Sequence, residues 1–293
     1  MVAEVKRKRG FIVSIVGLLL VILGVLWITV IFPAIDKVPL DYDRAYYFVG
    51  NITDRDPDDP LQFRFYPVEQ ELMQKANGTK DGALLIHEVR KVYDTSTEPR
   101  TDISDEPYDY GDESTLAIDR RTMEFVQAVD ERGRWGYWGP PRPIGKDDSY
   151  DLWNPGAGQP QTANYVRSED FRGLSVLVFE IDESDLEIGN VTYMGMELPL
   201  SYSITITQWV EPSSGTVVYN ESVATTTVMG NLVQKTELRY AERTIDDLMD
   251  IGRSAHTMLL WFRTIVPWIL IGLGAVMVLL DVLVLGRKRR TQE

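Results

Sequence analysis

The chain of 293 residues contains no cysteine. That removes disulfide staples, thiol nucleophiles and cysteine-based zinc sites together, so any folded part must be held by its own core. Histidine is nearly as scarce, with His87 and His256 as the two in the chain. A Ser-His-Asp relay would need one of them beside a serine, and no G-x-S-x-G turn is present. Walker A, GxGxxG and HExxH patterns are also missing. Positive charge is concentrated at the two ends. The formal charge is −14, yet residues 1–10 carry +3 and residues 281–293 carry +2, which leaves −19 for residues 35–263. A segment this acidic repels phosphates, so no nucleic-acid partner is expected.

Long apolar runs are what the chain does have. Residues 11–34, "FIVSIVGLLLVILGVLWITVIFPA", are 24 residues without a charge. As a helix they would span ~36 Å, enough for a hydrocarbon core of about 30 Å. The run exceeds the roughly 7–15 apolar residues of a signal peptide, and "FPAIDK" is a poor cleavage site, so an uncleaved span is expected. Residues 264–285 form the second expected span, with Pro267 in its first turn, where a proline forfeits no helical bond. Trp261 and Trp268 suit the outer interface. The lone acid, Asp281, is expected to reach the headgroups or pair with Arg287 or Lys288 rather than relay protons. Gly17, Gly24, Gly272 and Gly274 permit close helix contact, most simply between the two spans.

Cations beside a span are retained on the cytoplasmic side. Both spans have their basic cluster at the end away from the middle of the chain. The expected layout is therefore a two-pass protein of the cell membrane. Cytoplasmic tails occupy residues 1–10 and 286–293, and residues 35–263 are extracytoplasmic. Four of the seven asparagines stand in Asn-x-Ser/Thr sequons, Asn51, Asn77, Asn190 and Asn220, and all four fall in that segment. They are the expected glycosylation sites.

Within residues 35–243 the pattern predicts a mainly β domain, an antiparallel curved sheet or a sandwich. "ALLIHEVRKVYD" reads as an imperfect strand and "LSYSITITQWVE" as a clearly alternating one. "LSVLVFEID" is nearly continuous in apolar residues, as expected for a strand covered on both faces. The segment 202–229 reads as a hairpin turning at "EPSSG". "LAIDRRTMEFVQAV" contains a polar turn, and "WGYWGPPRPIGKDDSYDLWNPGAGQP" is too rich in glycine and proline for long helices. A juxtamembrane helix is expected over 244–263, opened by Thr244 and Asp247 at capping-box spacing and continuing into the second span.

Two acidic stretches raise the question of calcium. Asp54, Asp56, Asp58 and Asp59 offer hard oxygens at close spacing. The sixth and twelfth places of an EF-hand would be Asp59 and Phe65, so that motif is excluded and a looser calcium loop is left as the alternative. No other cofactor and no catalytic residue are indicated. Paired carboxylates for glycoside hydrolysis are not placed together by anything in the sequence.

Taken in order, "FPAIDKVPLDYD", "LAIDRRTMEFV", "PRPIGKDDSYDLWNPG" and "QWVEPSSGTVVYNES" between two terminal spans resemble the porin PorA family. The resemblance covers nearly the whole chain and implies a two-pass membrane surface protein with a β-rich extracytoplasmic domain. It supplies no catalytic residues. The expected function is a membrane-anchored binding or structural role, with a lipid or other apolar ligand held in the β domain. The alternatives are a calcium-dependent surface hydrolase and an accessory subunit contacting other membrane proteins. An apolar cavity of a few hundred Å3 distinguishes ligand binding from a purely structural role.

Overall fold

The computed structural model describes residues 2–56, 62–105, 110–193 and 195–290, with backbone alone for residues 2–11, 193 and 284–290. The chain divides into two compact units, one of Met1–Lys37 with His256–Glu293 and one of Val38–Ala255.

The first unit is helical. Helix α1 (Val2–Leu26) leads through a π-helical turn, Trp27–Ile31, into the short α2 (Phe32–Ile35). Helix α3 (Glu242–Leu259), which belongs to the second unit as far as Ala255, leads through a second π-helical turn, Leu260–Ile265, into α4 (Val266–Arg290) of the first. The helical segments Ile12–Ile35 and Glu242–Leu283 each contain a stretch long and apolar enough to cross a membrane. Their exposed side chains include Leu18, Leu19, Leu273 and Leu279, as expected where lipid is the solvent.

Glycine brings α1 and α4 together. A Cβ on Gly17 would lie 2.7 Å from the carbonyl oxygen of Gly274, and one on Gly24 would lie 3.0 Å from that of Pro267. Gly272 faces open space instead, so the expected contact uses three of the four glycines. Asp281 is buried, and its Oδ2 accepts the Ser14 hydroxyl at 2.5 Å across the helix pair, a partner the sequence did not indicate. The side chains of Arg287 and Lys288, its expected partners, lie outside the described residues. At the second π-helical turn, the Val266 N–H bonds to Trp261 O. The Phe262 carbonyl is thereby released and accepts the Trp27 indole N–H at 2.7 Å.

The second unit is a curved antiparallel sheet. Its strands are β1 (Asp43–Arg55), β2 (Phe63–Lys80), β3 (Ala83–Asp94), β4 (Thr101–Asp102), β5 (Asp112–Ile118) and β6 (Ser149–Asn154). They continue as β7 (Gln159–Phe171), β8 (Leu174–Tyr193), β9 (Met196–Glu211), β10 (Thr216–Val228) and β11 (Asn231–Tyr240). The spatial order is β4-β3-β2-β1-β11-β10-β9-β8-β7-β6, with β5 also on β3. Chain ends meet in the middle of this order, because β1 pairs with β11 through Phe48 and Tyr240. The sheet is open, but single bridges connect its edges: Ile118 to Phe125, Glu124 to Tyr137, and Tyr137 to Leu152. The loop after β5 therefore carries the pairing round to β6.

The first half of β8 shows why its sequence is nearly continuous in apolar residues. Leu177, Phe179 and Ile181 pack into the inner core with Tyr150, Ala163 and Ile204. Leu174, Val176 and Val178 face the other way and pack with Trp209, Val218, Ile245 and Met249, the last two from α3. The hairpin at 202–229 forms as expected between β9 and β10. Its turn is built on Glu211, which is fully buried and accepts the N–H groups of Ser213 and Ser214 at 3.1 and 2.8 Å. Gly215 closes it at φ +68, where a side chain would be strained. Thr244 does not cap α3. It lies inside the first turn, and its hydroxyl accepts the Tyr47 N–H at 2.7 Å and donates to the Tyr47 carbonyl at 3.0 Å, stitching α3 to β1.

Candidate functional site

A cleft of about 580 Å3 opens at one end of the β unit. Its walls come from β1, β2, β6, β9, β10 and β11, from the loop at Trp138, and from the face of α3 that carries Leu248 and Ile251. Most of the lining is apolar or aromatic, and the volume falls within the roughly 300–1,000 Å3 of small-molecule sites. Val38 and Ala255, the first and last residues of this unit, are both among the cleft's lining residues.

The inner faces of the strands explain the lining. On β1, Tyr46 and Phe48 face inward, with Leu72 opposite Tyr46 on β2 and Tyr240 opposite Phe48 on β11. Gln74 lines the cleft one pair further along β2, and Gln208 lines it on β9. The Tyr150 hydroxyl donates to Gln208 Oε1 at 2.6 Å, and the ring of Tyr150 packs edge-on against Phe179 at 5.4 Å. The interior is thus a shell of phenols and amides over a hydrocarbon floor.

Burial raises the phenols of Tyr42, Tyr46, Tyr150, Tyr202 and Tyr240 above the usual tyrosine range. A raised acid pKa stabilises the fold fully below the unfolded value of about 10, and that contribution is lost as pH rises above it. Each such tyrosine is expected to steepen the loss by up to about 1.4 kcal/mol per pH unit. The unit should therefore melt cooperatively above about pH 10. Ultraviolet titration would show the phenolates of these five appearing together with unfolding; their ionising in the intact fold at pH 10 would contradict it.

The acidic candidates are occupied within the protein. Asp54 accepts the Tyr110 hydroxyl at 2.6 Å, and Asp56 pairs with Arg64 at 2.6 Å. Asp58 and Asp59 lie outside the described residues. Among the described residues no three His, Asp or Glu side chains gather as a metal group. His87 sits on β3 with its Nε2 3.4 Å from Glu113, away from any serine relay. Of the sequon asparagines, Asn77 and Asn190 are exposed, whereas Asn51 and Asn220 are half-buried. Asn220 pairs in register with Gln208 on the inner face, and its Oδ1 is enclosed without a partner. Sequence reasoning marked none of the cleft residues as a site, although Trp138 lies in the glycine- and proline-rich segment that it read as free of long helices.

The sequence profile of Porin PorA matches residues 10–283. No curated protein matches the chain. Two apolar helices and a β-rich unit both lie within the matched span and suit a membrane location. With nearly its whole length matched, the chain belongs to the porin PorA family.

Proposed function

We propose that this is a two-pass membrane protein with both termini in the cytoplasm and residues 35–263 outside, and that its cleft takes up a lipid or another apolar ligand. One observation carries the reading: a mostly apolar cleft of about 580 Å3 within the β unit. The basic clusters at the two chain ends support the orientation.

The sheet is not proposed as a lipid-embedded pore. A membrane barrel presents an apolar band outward. Here the outward positions of β2 and β11 carry ion pairs, Arg100 with Glu69 and Glu71, and Lys235 with Glu237. Glycans are proposed first at Asn77 and Asn190, whose side chains are exposed.

The full chain, purified in nanodiscs made from its native membrane, provides the test. Native mass spectrometry is expected to find a lipid-sized mass retained by the protein and lost from an Ile251→Trp variant, in which an indole fills the cleft. A wild-type protein that retains nothing would leave a structural role. Peptide mapping of the same sample checks the glycans, and protease added to intact cells should cut within residues 35–263 while sparing both tails.

A further inference from the structure

The polar groups of the cleft gather at one pole. The hydroxyls of Tyr42 and Tyr46 lie 2.8 Å apart, Tyr42 donates to Gln74 Oε1 at 3.2 Å, and Gln74 Nε2 donates to Glu88 at 2.6 Å. Tyr240 stacks on Tyr46 with ring centroids 6.2 Å apart. Its hydroxyl has no hydrogen-bond partner among the described residues. A phenol O–H in such a setting is a donor awaiting an acceptor.

Charge along the lining is balanced. Asp41 and Asp43 stand against Arg44 and Arg142, and Arg142 Nη2 donates to the Arg120 carbonyl at 3.0 Å. At Tyr46 the opposite effects of Arg44 and Glu88 meet, and the groups that act on Tyr240 are the phenols of Tyr46 and Tyr150 rather than either charge. A carboxylate or phosphate brought to the Tyr240 hydroxyl would lose hydration with no cation there to replace it. An ester or alcohol oxygen would lose much less and would accept the Tyr240 proton.

We infer that the ligand of this cleft is an amphiphile with an uncharged, oxygen-bearing head, held by the Tyr240 hydroxyl with its hydrocarbon against Leu72, Trp138, Leu248 and Ile251. The inference rests on the binding reading proposed above and adds the class of head group. Burial keeps the phenols neutral, so they serve as donors across the physiological range.

The experiment measures displacement of a fluorescent lipid from the full chain in nanodiscs at pH 8, by palmitoyl glycerol and by palmitate. Palmitoyl glycerol is expected to bind about tenfold more tightly, the worth of one hydrogen bond plus the avoided burial of charge. Tyr240→Phe keeps the ring and should cut that preference several-fold, leaving the part due to charge burial, while palmitate affinity stays unchanged. Equal binding of the two amphiphiles by the wild type, or a preference for palmitate, overturns the inference and leaves the binding reading standing. A preference undiminished in a folded Tyr240→Phe variant overturns the assignment of the head-group site. Binding of neither, or binding that Ile251→Trp does not block, removes the binding reading as well. The wild-type ratio needs no variant, so the test does not depend on Tyr240→Phe folding.

Discussion

Replacing Asp130 with alanine is expected to cost the β unit about 3–5 kcal/mol, because it strands a buried cation. The Arg134 side chain is 3% exposed and that of Asp130 is 0% exposed. Both Asp130 oxygens accept from Arg134 Nη1, at 3.2 and 3.0 Å. The carboxylate also accepts the N–H groups of Ala117, Arg132 and Arg134. Alanine would leave these three amides and a guanidinium without their acceptor. Residues 126–134 lead into the bridge at Tyr137, so this anchor fixes the segment that connects the two sheet edges. For a domain of this size the loss corresponds to a melting point lower by roughly 10 °C. Thermal melting checks it, and the pair Asp130→Ala with Arg134→Met should recover part of the loss, since the stranded charge is then gone. A shift of a degree or less in the single variant would mean that the pair is solvated and the loop held by other contacts.

Gly274→Leu is expected to separate α1 from α4. Close approach of the two backbones leaves no room for a side chain, since the Gly17 carbonyl, Val21 and the α1 backbone crowd the position. The cysteine-free sequence offers a clean assay. The Ser14 hydroxyl and an Asp281 carboxylate oxygen meet 2.5 Å apart across the same helix pair, with no glycine replaced. The double variant Ser14→Cys with Asp281→Cys should therefore cross-link in membranes on mild oxidation. Adding Gly274→Leu should reduce that yield about tenfold, equivalent to about 1.4 kcal/mol of helix association. Gly272→Leu, at a position that faces open space, should leave the yield unchanged and serves as the control. Equal yields in all three backgrounds would show that the helices do not pair through this face.

Strand legibility followed burial. β8 and β9 were readable because hydrocarbon dominates both faces of the first and one face of the second. β1 and β2 were not anticipated. Their inward positions include Gly50, Gln70 and Gln74, which interrupt the apolar period, and their outward positions include Tyr47 and Val49. The interruption at Gln74 has a physical cause: it lines the cleft, where a polar side chain meets Tyr42 instead of hydrocarbon. The same feature that makes the site weakens the signal of the strand beneath it. Thr244 was misread for a related reason, since its hydroxyl serves a backbone 197 residues away.

Apolar length, cation placement and the missing cysteines are local properties of the chain, and they determined the two helices and the self-supporting β body between them. Nothing local tells Tyr240 that Tyr46 lies beside it, or tells Ser14 that Asp281 does. Those meetings exist only once β11 has paired with β1 and α1 has packed on α4, because side chains separated by nearly the whole chain become neighbours only through backbone pairing and close helix contact.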